Sequence, residues 1–111
     1  MILFSYPDPP IIDPAYPKDL NTTEEESVTL QCIIKESNPH ANVTWIKLSD
    51  PGKVLSRSPV LNLTSVMHGD EGKYRCLVEN GVGGQIKSRI AKLEVKRTLS
   101  AVQFEFFAYN V

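Results

Sequence analysis

Asp70-Glu71-Gly72-Lys73-Tyr74-Arg75-Cys76 is the stretch on which the reading of this chain turns. From Lys73 to Asn80 inward and outward residues alternate. Tyr74, Cys76 and Val78 fall on one side, and Arg75, Leu77 and Glu79 on the other, which is the period-two pattern of a half-buried strand. Asp70 stands just before it, where a short carboxylate side chain caps a turn. Gly81-Val82-Gly83-Gly84 ends the strand as a tight hairpin. Gln85 to Lys96 then read as the return strand, with Ala91, Leu93 and Val95 inward and Ile86, Ser88 and Ile90 outward.

The same period extends upstream. Val28 to Lys35 places Val28, Leu30, Cys32 and Ile34 on one face. Glu36 to Asn42 reads as a loop, and Val43 to Leu48 as a strand with Val43 and Trp45 inward and Ile46 and Leu48 outward. Ser49-Asp50-Pro51-Gly52 is a turn. Val54-Leu55 reads as a short strand, and Val60 to Leu63 as a longer one with Leu61 and Leu63 inward. The proline-rich run from Tyr6 to Pro17 cannot be a central strand, because proline donates no ladder hydrogen bond. It reads as an extended linker or as a first strand split between two sheets.

A chain of 111 residues is long enough for one domain. Its net charge of −1 argues against nucleic acid, which calls for a basic excess. No apolar run is long enough to cross a membrane as a helix. Met1-Ile2-Leu3-Phe4 is too short for a secretory signal and lacks a basic flank, so a secreted protein would be present here as a mature form or a fragment. No catalytic constellation is expected. His40 and His68 lie in separate loops, no set of residues has metal-ligand spacing, and the glycine run precedes a strand instead of a phosphate-cradling helix. No metal or cofactor is expected.

Cys32, Trp45, Leu61-Asn62-Leu63, the Asp-x-Gly-x-Tyr-x-Cys run from Asp70 to Cys76, and Val78-Glu79-Asn80-x-x-Gly83 together resemble an immunoglobulin superfamily domain. The kind is the I-set or C2 type of cell-adhesion molecules and receptor ectodomains. The resemblance implies an all-β, Greek-key β-sandwich of two antiparallel sheets. The interval from Cys32 to Cys76 leaves no room for the extra strands of a variable domain. It implies a Cys32–Cys76 disulfide through the core, Trp45 packed on it, and Tyr74 and Asp70 holding the corner between layers. It places Val54-Leu55 in the same layer as Val28–Lys35 and Val60–Leu63. Residues 10–96 form the domain, 1–9 a linker, and 97–111 an extension. In that extension Val102, Phe104 and Phe106 alternate with polar residues, as an added edge strand or a segment leading to a further domain.

Two cysteines that pair fit an oxidising compartment, whereas reduced thiols would fit a cytosolic filament protein. Sequons at Asn21, Asn42 and Asn62 favour the extracellular reading. The outward phase gathers Ile46, Leu48, Leu77, Ile86 and Ile90 on one face, with Arg75, Glu79 and Lys92 as a charged rim. Such a surface suits a protein partner, either another protein or a second copy. Lys87, Arg89, Lys92, Lys96 and Arg97 raise a sulfated polysaccharide as a lesser partner, weakened because alternation splits these side chains between faces. The expected function is a non-catalytic extracellular recognition module of a receptor or adhesion protein. The competing one is a structural spacer domain of a cytosolic filament protein.

Overall fold

The computed structural model describes residues 6–98. In chain order the strands are β1 (Asp8–Ile12), β2 (Leu20–Thr23), β3 (Val28–Gln31), β4 (Ile34–Asn38), β5 (Asn42–Lys47), β6 (Val60–Leu63), β7 (Gly72–Glu79), β8 (Ile86–Lys87) and β9 (Ala91–Lys96). A short 3-10 turn at His68–Asp70 precedes β7. One layer runs β2-β9-β7-β5, with β8 also paired to β7. The other is built from the pairs β1–β4 and β3–β6. Here β3 and β4 are halves of one run, interrupted at Cys32-Ile33. The Cys32 amide donates to Pro59 O at 2.8 Å and the Asp13 amide to Ile33 O at 2.8 Å, carrying the pairing past the break.

The proline-rich start forms a split strand. Pro9 and Pro10 sit in β1, which borders only β4, so their missing amides disturb no second ladder. The chain then crosses to the opposite layer, where β2 joins β9 with Leu20 opposite Leu93 and Thr22 opposite Val95. This pairing is parallel, unlike the antiparallel ladders around it, because the crossing segment arrives running in the direction of β9. The Arg89 guanidinium clamps the crossing by donating to Pro17 O and, at 3.3 Å, to Asp19 Oδ1. Asp19 Oδ1 also accepts the Lys92 amide at 2.9 Å.

Two segments depart from the sequence expectation. Glu36–Asn38 continues β4 and is no loop, since β1 offers it partners, with Glu36 opposite Ile11 and Asn38 opposite Asp8. Val54-Leu55 lies not in the β3–β6 layer but along the outer edge of β5. The Leu55 amide donates to Trp45 O at 2.8 Å, and the Trp45 amide to Ser56 O at 2.9 Å. Edge groups of β5 would otherwise lack partners, and the turn at Pro51-Gly52 returns the chain to them. The part of the 97–111 extension read as an added edge strand or a leading segment falls, from residue 99 on, outside the described residues.

The core lies between the layers. Trp45, Cys76 and Val78 are wholly buried and Tyr74, Leu30, Leu61 and Leu93 nearly so. A side chain of this kind contributes about 1.5–3 kcal/mol when fully buried. The Cys32–Cys76 disulfide joins the layers across 44 residues of chain, which stabilises the fold by about 4 kcal/mol in the loop-entropy description. The corner before β7 is held from several sides. Tyr74 Oη donates to Asp70 O at 2.5 Å, and Asp70 Oδ2 accepts the Met67 amide at 2.8 Å. Burial, with the nearby Asp70 charge, pushes the Tyr74 hydroxyl up to about 12. Lys47 Nζ crosses the Tyr74 ring, 5.7 Å from its centroid, and donates to Gly69 O at 2.7 Å. Gly72 admits that lysine: its φ is +150°, and an added Cβ would stand 2.7 Å from Lys47 Cε.

Candidate protein-binding face

The outer face of the β2-β9-β7-β5 layer follows from strand register. Opposite β7, the outward residues of β5 form three rows: Asn42 with Glu79, Thr44 with Leu77, and Ile46 with Arg75. Lys87 on β8 extends the Leu77 row, and Lys92 on β9 stands opposite Lys73. A shallow depression of about 310 Å³ opens among Ile46, Leu48, Pro51, Leu77, Arg75 and Lys87. Its floor is aliphatic and its sides carry two cations. Ile46 points outward but is only 7% exposed, whereas Leu48, Arg75 and Leu77 are half-buried and Glu79 is exposed.

Ile86 is a correction. The sequence phase puts it outward with Leu77, yet its partner on β7 is Val78, and it packs against the core. Lys87 takes the outward place opposite Leu77. The cause is one extra residue between Ser88 and Ala91. Pairing runs Val78–Ile86 and Leu77–Lys87 before it, and Tyr74–Ala91 and Lys73–Lys92 after it. A one-residue bulge reverses which face every preceding side chain meets. Ser88 is therefore buried instead of outward. Its Oγ accepts the Cys76 amide at 2.9 Å and donates to Arg89 O at 2.8 Å. Arg75 grips the bulge from outside, donating from Nε and Nη2 to Ser88 O at 3.2 and 2.9 Å. Ile90 is half-buried beside it. No motif marks the bulge; a serine and an arginine in an otherwise regular alternation are its only trace.

The bulge also redistributes charge. Lys87 and Lys92, which straight alternation would separate, both face outward and join Lys73 and Arg75 in a basic strip. Arg89 does not belong to it, being committed to Pro17 and Asp19. Asp19 is held below its usual carboxylate value, chiefly by the hydrogen bond from the Lys92 amide and further by the Arg89 charge.

At the end of the face nearest Asn42 and Glu79, Asn80 ties three segments together. Its Nδ2 donates to Asp8 O at 2.6 Å, Ser37 Oγ at 3.1 Å and Pro39 O at 3.1 Å, while its Oδ1 accepts the Val82 amide at 3.0 Å. Gly81 and Gly83, with φ of 81° and 82°, turn the chain there. All three sequon asparagines are exposed. Asn21, opposite Glu94, and Asn42 stand on the same outer face as the depression. Asn62 lies on the opposite layer, its Oδ1 accepting the Thr29 hydroxyl at 2.8 Å. A second depression of about 450 Å³ opens beside the β3–β4 break, near His40, Glu36 and Val43. It is a gap along the open side of the sandwich. Among the described residues no group of His, Cys, Asp and Glu side chains is placed to hold a metal ion.

The immunoglobulin-domain family profile matches residues 9–80. This chain is an immunoglobulin superfamily domain. The domain is 33% identical over 86 residues to human (Homo sapiens) hemicentin-1, covering 71% of this chain and 2% of that protein. It is 34% identical over 100 residues to the cell adhesion molecule-related/down-regulated by oncogenes protein of Xenopus laevis, covering 76% of this chain and 8% of that one. It thus spans a small part of the curated relatives it matches. Among solved structures it superposes on a chain from the crystal structure of Dpr11 IG1 bound to DIP-gamma, with a TM-score of 0.66 and 28% identity, covering 79% of this chain and 48% of that one.

Proposed function

We propose that this immunoglobulin domain is an extracellular, non-catalytic recognition module of a cell-surface receptor or adhesion protein. It binds a protein partner through the outer face of β5, β7 and β8. The observation that carries this reading is the depression around Ile46, Leu48 and Leu77, an aliphatic floor beside Arg75 and Lys87 on a sheet face directed at solvent. An apolar centre with a charged rim is the anatomy of a protein–protein contact. The relatives support the class, since one is an adhesion-related protein and a structural neighbour is an immunoglobulin domain bound to another. The Cys32–Cys76 bridge supports the extracellular setting.

The paired variant Ile46→Asp/Leu77→Asp tests the face. Burying two carboxylates in the contact is expected to weaken association by more than about tenfold, equivalent to about 1.4 kcal/mol, in sedimentation or surface-capture measurements. A folded double variant that associates as well as the parent would remove this face from consideration.

A further inference from the structure

We infer that Asn42 carries an N-linked glycan that covers the Asn42–Glu79 end of the outer face as far as Lys87 and confines docking to the part around Ile46, Leu48 and Arg75. This rests on the reading of that face as the docking surface. The placement comes from the register. Val43 and Trp45 point into the core, so Asn42 and Thr44, the two functional positions of the sequon, both point out from β5. Thr44 is opposite Leu77, and Asn42 is opposite Glu79, one row along.

Asn42 is exposed, and its side chain has no hydrogen-bond partner among the described residues. Its amide nitrogen is thus free for the glycosyl bond: the nitrogen bonds the anomeric carbon of a lipid-pyrophosphate-linked oligosaccharide, the bond from that carbon to the pyrophosphate oxygen breaks, and the lipid pyrophosphate leaves as the amide gives up one proton. From Asn42 to Lys87 is two strand spacings across and two residues along, roughly 12 Å. A bulky, hydrated oligosaccharide reaches that far. Neighbouring contacts brace this end: Asn80 binds Asp8 O and Pro39 O, so the glycan's attachment strand borders an ordered pair of loops. Asn62, on the other layer, supplies a built-in control.

The experiment uses the full chain secreted from a eukaryotic cell. Glycopeptide mass analysis reads occupancy at each sequon, and amine acetylation of the native protein reads exposure of Lys87, with Lys18 as a distant reference. Asn42 is expected to be occupied, and Asn42→Gln to raise Lys87 acetylation several-fold while Lys18 stays constant. Thr44→Val, which removes the same acceptor without touching the asparagine, is expected to do the same if Asn42→Gln is poorly secreted. Asn62→Gln should leave Lys87 unchanged. An unoccupied Asn42, or equal Lys87 acetylation with and without its sequon, overturns the inference. None of these readings needs a partner, so failure of the Ile46/Leu77 variant to lose binding would count against the docking face alone.

Discussion

The two sides of β7 carry the same alternation but were shaped by different constraints. Inward, Tyr74, Cys76 and Val78 meet a closed core in which the disulfide, Trp45 and the corner hydrogen bond specify one arrangement. Outward, Arg75, Leu77 and Glu79 meet whatever β5 and β8 bring beside them, and a single inserted residue in the neighbouring strand changes the company they keep. The difference teaches that a strand's own pattern decides its buried side, whereas its exposed side belongs to the sheet.

The largest test sets the sides against each other. Trp45→Ala opens a cavity at the centre of the inner side and is expected to cost about 3–5 kcal/mol in denaturant unfolding. Leu77→Ala, on the outer side of the adjoining strand, removes a half-buried group and should cost less than about 1 kcal/mol. Comparable losses would mean the outer aliphatics act as a second core.

Ser88 is where the two sides are coupled. Its hydroxyl satisfies the inner Cys76 amide, and its carbonyl accepts the outer Arg75 guanidinium. Ser88→Ala leaves a buried amide without its acceptor, an expected loss of about 1–3 kcal/mol. It should also loosen the Lys87 register, read as faster amide exchange at Lys87 than at Lys92.

How much was legible follows the same division. Cys32, Trp45, Tyr74, Asp70 and Cys76 announce the sandwich because their jobs demand those residue types. Ile46, Arg75 and Leu77 fall outward as their own phase predicts, because β5 and β7 pair without interruption. Ile86 does not, because the bulge has no sequence mark and reverses the phase that Ala91 sets for the residues before it. The Glu36–Asn38 half of β4 reads as a loop because Glu36, Ser37 and Asn38 lack apolar alternation; the partner strand β1, not the residues themselves, makes it extended. Asn80 and Arg89 act through backbone atoms distant in sequence, which no local spacing reveals.

The corner responds to alkali. Tyr74 is raised to about 12 from an ordinary 10.0. Its contribution is therefore fully present below pH 10 and lost as pH rises toward 12. Tyr74→Phe is expected to cost about 1 kcal/mol at neutral pH through the lost bond to Asp70 O. It should also flatten the fall in stability at alkaline pH attributable to this residue.

The smallest effect lies on the other side of the layer, where Asp19 fastens β2 to β9. Its carboxyl is lowered from 3.8 by the Lys92 amide and the Arg89 guanidinium, so the unfolded chain binds its proton first. The stabilisation is present above pH 3.8 and disappears as pH falls through the lower folded value. Asp19 is exposed, and solvent screening keeps the effect small. Asp19→Asn keeps an acceptor for the Lys92 amide but removes the charge. The variant should match the parent in strong acid and fall slightly behind it at neutral pH. A parent whose acid limb is no steeper than that of Asp19→Asn would show that the clamp on the crossing strand is held by Arg89 and Pro17 O alone.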